Sequence, residues 1–335
     1  MKFQTFVPEN LTQKNNKIAN YAKNNYKKNI SQIELLKFCQ LKFEDHIILK
    51  RYAKKKNIDF FSTAFDFTSI DFLSRKMSLK SHKIPSGEIT NYPLLLEHSL
   101  RNHNIILSTG MSTIDEIKNA INLIAYGFLH KGKKIHNIKF PSLSKDYTQK
   151  IKKKIYNKLI LMHCISNYPT KLKDLNLKAI QLLKDTFKLR VGFSDHSLSK
   201  LVPSLAVAAG ADIIEKHFTL DRNYSDFRDH QLAADPDMMK QLVKQIRDCE
   251  TFLGDGKLEP RNVEIETEIP VRRSIASNKN LEIGHVVEDI DLMWIRPGEG
   301  LPPGTEHDII GKTLTEKIKE GELFSKQHFS NFKHH

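Results

Sequence analysis

Short apolar runs alternate with longer amphipathic stretches through the first two-thirds of the chain, the pattern of strand–helix units around a parallel sheet. The runs at Lys2–Phe6, Asp59–Phe65, His82–Ile89, Asn104–Met111, Leu159–Ser166, Arg190–His196 and Asp212–Thr219 predict strands. Helical periodicity falls at Thr113–Phe128, Leu175–Phe187, Leu201–Ala209 and Pro236–Phe252. Thr113 with Glu116 three residues on predicts a capping box that opens a helix just after Gly110. Gly254-Asp255-Gly256 is a strong stop for the last helix. Seven strands result, one βα unit short of a closed (β/α)₈ barrel.

Two segments break the short-loop rule. Residues 10–56 contain helical pieces but are long and polar. Residues 130–158 carry ten Lys and one Asp, which predicts a surface insertion rather than a buried element. Beyond Gly256 the character changes to short β-like runs, Arg273–Ala276 and Leu292–Ile295, separated by glycine-containing turns. The predicted organisation is a barrel domain over 1–256, a linker over 257–271 and a small β-rich domain over 272–335.

Composition narrows the class. Of 335 residues, 39% are hydrophobic and 27% charged, which supplies a large core and argues against disorder. No stretch reaches the roughly 18 uninterrupted apolar residues of a membrane span. The opening MKFQTFVPENLTQ lacks the apolar run of a secretion signal. Cys39, Cys164 and Cys249 are too few and scattered for a disulfide framework. A cytoplasmic setting is expected. The net charge of +14 suggests nucleic acid until its make-up is read: 42 of 53 basic residues are Lys, and no stretch interleaves Arg and aromatics with them. Neither a nucleic acid nor a membrane is the expected partner.

Catalytic groups of a parallel barrel gather at the C-terminal ends of its strands, and there the polar residues collect. Ser62 and Thr63, Ser86 to Glu88, Ser108 to Gly110, Ser166 and Asn167, Ser194 to His196, and Lys216 and His217 all fall at predicted strand ends. Hydroxyls and free N–H groups at such ends suit an oxyanion, with Lys2 and Lys83 available to add positive charge. His196 and His217 take equivalent places on consecutive strands. As a converging pair they suit a divalent cation; singly, each reads as a structural or general-acid residue.

Six motifs in order, KIPSGEITNYPLL (83–95), ILSTGMST (106–113), MHCISNYPT (162–170), VGFSDHS (191–197), ADIIEKHFTLDR (211–222) and WIRPGEG (294–300), resemble the sialic acid synthase family, which includes legionaminate and pseudaminate synthases. The resemblance spans essentially the whole chain. It implies a TIM barrel followed by an antifreeze-like (SAF) domain, and condensation of phosphoenolpyruvate with an N-acylated aldose to a nine-carbon 2-keto acid and phosphate. It implies His196 and His217 as ligands of Mn²⁺ or Mg²⁺. Lys2, Thr63, Lys83, Ser86, Ser108 and Ser194 match the phosphoenolpyruvate set, and Ser166 stands where some relatives carry Asn. Gln4, Glu88 and Tyr168 match positions near the sugar, with Glu88 the candidate for proton handling. Asp229 and His230 match a loop near the sugar. Arg296 matches an arginine that reaches the sugar's N-acyl group in the partner's barrel of a domain-swapped homodimer.

Relatives begin with a further strand and helix, so the resemblance also implies that this chain starts at the second strand of the barrel. Two other readings compete. A 3-deoxy-octulosonate or heptulosonate phosphate synthase shares the barrel but lacks the SAF domain expected over 272–335. A non-catalytic remnant would act only in binding or dimerisation.

Overall fold

The computed structural model describes residues 1–13, 31–142, 145–224 and 228–330, in two compact units, Met1–Gly254 and Asp255–His335. In the first unit seven strands form one parallel sheet in strict chain order. They are β1 (Lys2–Thr5), β2 (Phe61–Ala64), β3 (Ser81–Ile84), β4 (Asn104–Ser108), β5 (Leu159–Cys164), β6 (Arg190–Asp195) and β7 (Ile214–Lys216). Each overlaps a predicted run and ends earlier, and all but β3, which begins one residue ahead at Ser81, lie inside it.

Helices cover one face of the sheet. Preceding β5 in chain order are α1 (Gln32–Cys39), α2 (Phe43–Lys55), α3 (Phe67–Asp71), α4 (Tyr92–Leu100), α5 (Ile114–Leu129) and α6 (Lys152–Lys158); α7 (Lys178–Phe187), α8 (Val202–Ala208), α9 (Arg228–Leu232) and α10 (Pro236–Leu253) follow it. α5 shows how sequence sets one of these. The Thr113 hydroxyl accepts from the Glu116 N–H at 3.2 Å, and Glu116 Oε2 accepts from the Thr113 N–H at 2.7 Å, so the predicted capping box forms. Ile117, Ala120, Ile121, Ile124 and Phe128 then fall on one buried stripe of 3.6-residue period. They pack on Ile105 and Leu107 of β4 and Leu159 and Leu161 of β5 in one continuous core.

Because side chains alternate along a strand, the residues between these core positions face the other way. Lys83, Ser108, Cys164, Ser194 and Glu215 share that second face, and it carries the candidate site.

The Lys-rich segment departs from expectation. Ile155 of α6 is buried in the main core, and Ile135, Ile138, Tyr147 and Ile151 pack against it. The stretch 130–158 is therefore a core-anchored connection with a charged exterior, rather than a purely surface insertion. Of the polar stretch 10–56, α1 and α2 are helical; residues 14–30 lie outside the described part. Among the described residues no helix is long and apolar enough to cross a membrane.

The second unit starts with α11 (Asn262–Val271), which falls within the stretch read as a linker, and contains an antiparallel pair, β8 (Ser274–Ser277) and β9 (Leu292–Ile295). Its core joins Ile275, Leu281, Val287, Leu292, Ile309, Leu314, Ile318 and Phe324. Asp291 is fully buried there, contacting Lys279 and His285 at 2.7 Å each.

Candidate active site

Glu215 on β7 is the hub of the inner face. Its carboxylate accepts from Lys83 Nζ of β3 at 2.8 and 2.9 Å, pairs with Lys2 Nζ of β1 at 2.9 Å, and accepts from the Ser194 hydroxyl of β6 at 2.7 Å. Lys83 is 3% exposed. Burial by itself would raise the Glu215 carboxyl, but Lys83 and Lys2 outweigh it and hold the group well below the ordinary range. Burial pulls the Lys83 ammonium down, with Glu215 opposing it. Two cations and one anion leave the cluster with one net positive charge.

Next to it stand the two histidines. His196 donates from Nδ1 to the Ile165 carbonyl at 2.8 Å. Its Nε2 lies 3.3 Å from the Ser194 oxygen, whose proton is already given to Glu215. That tautomer leaves the Nε2 lone pair free. The His196 and His217 ring centroids are 5.6 Å apart, and the Tyr168 ring lies 4.2 Å from His196 and 6.0 Å from His217. Both imidazoles are lowered to about 4, His196 by burial and His217 by burial and then Lys2, so both are neutral at neutral pH. Asp229 Oδ1 lies 3.9 Å from His217 Nδ1. A neutral imidazole oriented through a carbonyl, as His196 is, is the ordinary form of a metal-ligating histidine, and the neutral His217 ring beside it makes a pair whose chemistry fits a divalent cation.

A third group surrounds Gly110. The Gly110 N–H donates to Ser86 Oγ at 3.0 Å, and Ser86 Oγ lies 3.1 Å from Cys164 Sγ. A Cβ on Gly110 would come within 2.5 Å of Ser166 Oγ, 2.8 Å of Ser86 Oγ and 2.9 Å of Cys164 Sγ. Glycine is required there by close approach.

The remaining expected residues are placed less tightly. Thr63 and Ser108 are buried at the register positions opposite Lys83 and Met162. Gln4 is exposed on β1 opposite Thr63. Glu88 sits in the turn after β3, its Oε2 accepting from Asn91 Nδ2 at 2.7 Å. His230 Nδ1 is 2.7 Å from Thr219 Oγ1. Arg296 is an exposed residue of the second unit, directly after β9. Sequence reasoning missed Glu215 and Cys164. Both share strand parity with residues it did select, Glu215 with His217 and Cys164 with Ser166, and that signal would have found them.

Chemically, the arrangement can hold an anionic substrate on Lys2, Lys83 and the strand-end hydroxyls, beside two neutral imidazoles. The NeuB family matches residues 1–258. The N,N'-diacetyllegionaminic acid synthase of Legionella pneumophila is 41% identical across 98% of this chain and 85% of that protein. The enzyme of the same name from Campylobacter jejuni is 37% identical across 96% of this chain and 89% of that protein. The crystal structure of N-acetylneuraminic acid (sialic acid) synthetase from Leptospira borgpetersenii superposes with a TM-score of 0.61 at 32% identity, covering 79% of this chain and 78% of that one. On this matched sequence and this curled parallel sheet, the chain belongs to the NeuB family.

Proposed function

We propose that the protein condenses phosphoenolpyruvate with an N-acylated aldose to a nine-carbon nonulosonate, releasing phosphate. The observation that carries this reading is the Lys2–Lys83–Ser194–Glu215 cluster beside His196 and His217. The relatives at 41% and 37% identity are named for a diacetylated product. Phosphoenolpyruvate contributes three carbons, so the corresponding aldose has six carbons and two acetamido groups.

In this reading Lys2 and Lys83 neutralise the phosphate and carboxylate of phosphoenolpyruvate. Ser86, Ser108, Ser166 and Ser194 hydroxyls and strand-end N–H groups orient it, with Thr63 at the floor. His196 and His217 hold Mn²⁺ or Mg²⁺, which when bound supplies Lewis-acid polarisation of the aldehyde oxygen. Tyr168, Gln4, Asp229 and His230 line the sugar side. Glu88, kept oriented by Asn91, exchanges a proton with the sugar or the attacking water. The second unit is read as the SAF domain, with Arg296 serving the partner's site in a swapped homodimer.

The test is phosphate release from phosphoenolpyruvate with the diacetamido hexose and with N-acetylmannosamine, products being weighed by mass spectrometry. Turnover faster with the diacetamido sugar supports the reading. Faster turnover with N-acetylmannosamine overturns the substrate assignment, and no phosphate release with either overturns the activity.

A further inference from the structure

His82 precedes Lys83 on β3 and therefore faces the opposite way, into the helix layer. There it meets His98 of α4 and His103 of the turn before β4, all three buried. One ring nitrogen from each lies within 4.8 Å of the others. His98 Nδ1 donates a hydrogen bond to His103 Nδ1 at 3.2 Å; an ion that replaced this proton, with the proton moving to His98 Nε2, would meet a spacing close to the edge of about 3.3 Å of a tetrahedron with zinc–nitrogen bonds of ~2.0–2.1 Å. The His82 ring stacks on His103 with centroids 3.9 Å apart and planes 14° from parallel, so one of the two rings must turn before both lone pairs meet a single ion.

The hydrogen bonds around the trio set its tautomers. The Ser74 hydroxyl donates to the Ile70 carbonyl at 2.6 Å, so it accepts from His103 Nε2–H at 3.0 Å. His82 Nε2–H donates to the Leu79 carbonyl at 3.3 Å. Both rings thereby present Nδ1 lone pairs inward. His82 Nδ1 and His98 Nε2 are buried with no hydrogen-bond partner, and a buried polar atom left unpartnered is destabilising. Burial lowers His82 to about 4 and His103 to about 2, and holds His98 well below its ordinary value, so all three rings are neutral ligands at neutral pH. Arg101, a cation whose charge acts on all three rings, is paired with Glu97 at 2.7 Å and Asp71 at 3.1 Å.

We propose that His82, His98 and His103 form a second metal site, a three-imidazole site for a borderline divalent transition metal such as zinc, separate from the His196–His217 pair. His103 lines a cavity of about 1310 Å³, which gives the ion a route in. Lys80, Lys133, Lys134 and Lys158 line the same cavity and oppose a cation there. Only a metal with high intrinsic affinity for imidazole overcomes that field, which excludes Mg²⁺ and Ca²⁺ as occupants. The filled site ties β3 to α4 and to the start of β4, so it acts on stability.

The test uses Co²⁺ as a spectroscopic probe in the full chain carrying His196→Ala and His217→Ala, which removes the other candidate site. One equivalent of Co²⁺ should bind with visible ligand-field bands, and Zn²⁺ should displace it and raise the melting temperature. Adding His103→Gln, at the margin of the trio, or His82→Asn should weaken binding at least about tenfold, with far-UV circular dichroism reporting that each variant folds. If the background variant does not fold, Co²⁺ stoichiometry in the otherwise unaltered chain, which His103→Gln should lower by one, decides. Absence of Co²⁺ binding, or binding that neither substitution weakens, leaves only a cluster of neutral buried histidines and overturns the proposal.

Discussion

Lys2 on the first strand and Glu215 on the seventh meet at 2.9 Å, although β1 and β7 are the two edges of the sheet. In a flat sheet six interstrand spacings would separate them by roughly 29 Å. Lys83 reaches the same carboxylate from four strands away. The sheet is therefore curled so that the edges approach, and one carboxylate inside the curl fastens both lysines.

Removing that carboxylate strands a buried cation. Glu215→Gln leaves Lys83 inside the curl without its counter-charge, and losing one member of a buried pair costs about 3–5 kcal/mol. Lys83→Met combined with Glu215→Gln should restore most of the loss. Urea unfolding followed by far-UV circular dichroism measures both. A cost below about 0.5 kcal/mol for the single variant, as for exposed pairs, would contradict the buried anchor.

Two neighbouring glycines should respond in opposite ways. Gly110→Ala drives a methyl into Ser86, Cys164 and Ser166, which costs about 1–3 kcal/mol and should weaken phosphoenolpyruvate use about tenfold or more, since 1.4 kcal/mol is a factor of ten. Gly87 has open space around its Cβ direction and no positive φ, so Gly87→Ala should be neutral or slightly stabilising. Thermal melts and steady-state KM values separate the two. Equal behaviour would refute the crowding argument.

The metal reading has its own signature. Chelation should abolish turnover and Mn²⁺ should restore it. His217→Ala should lower kcat/KM by about 100-fold or more, because Lewis-acid stabilisation supplies several kcal/mol. Turnover that survives both chelation and the substitution removes His217 from the metal site.

Asp291 gives the second unit a pH dependence. Burial raises its carboxyl, yet Lys279, the Glu288 N–H and His285 together lower it to about 2. A folded value below the unfolded one adds stability above the unfolded range, on the order of 2 kcal/mol, and that stability is lost as pH falls from about 4 through about 2. The chain's single tryptophan, Trp294, lies on β9, so its fluorescence reports this unit. Denaturation midpoints should fall between pH 5 and pH 2.5 for the parent chain and much less for Asp291→Asn.

If Arg296 serves a partner's site, co-expressed His217→Ala and Arg296→Ala chains should recover activity that neither shows alone. In a swapped pair the barrel of the second chain meets the intact second unit of the first. Doubly tagged heterodimers without activity would exclude the exchange.

The strands were legible because their apolar runs are short and bounded, and the hydroxyls of the inner face because they close those runs. Glu215 was hidden among charged neighbours: in Glu215-Lys216-His217 only alternation tells which residues face inward, and Lys216 turns the other way to bury its ammonium on Asp195 at 2.8 Å. The Lys-rich stretch misled for the converse reason. Its ten lysines outweigh a few isoleucines in any average, while burial is decided by single positions such as Ile155. The His82–His98–His103 trio has no linear signature, since three elements supply it.

The fastening of Lys2 to Glu215 also bears on how the protein reaches its native state. Neighbouring strands pair through contacts of moderate sequence separation, but this ion pair waits until the seventh strand has joined the sheet. Contacts of such long range are slow to form. The Lys2–Lys83–Glu215 cluster should therefore be the last part of the first unit to assemble, and a kinetic intermediate with six ordered strands would hold Lys2 and Lys83 without their shared carboxylate.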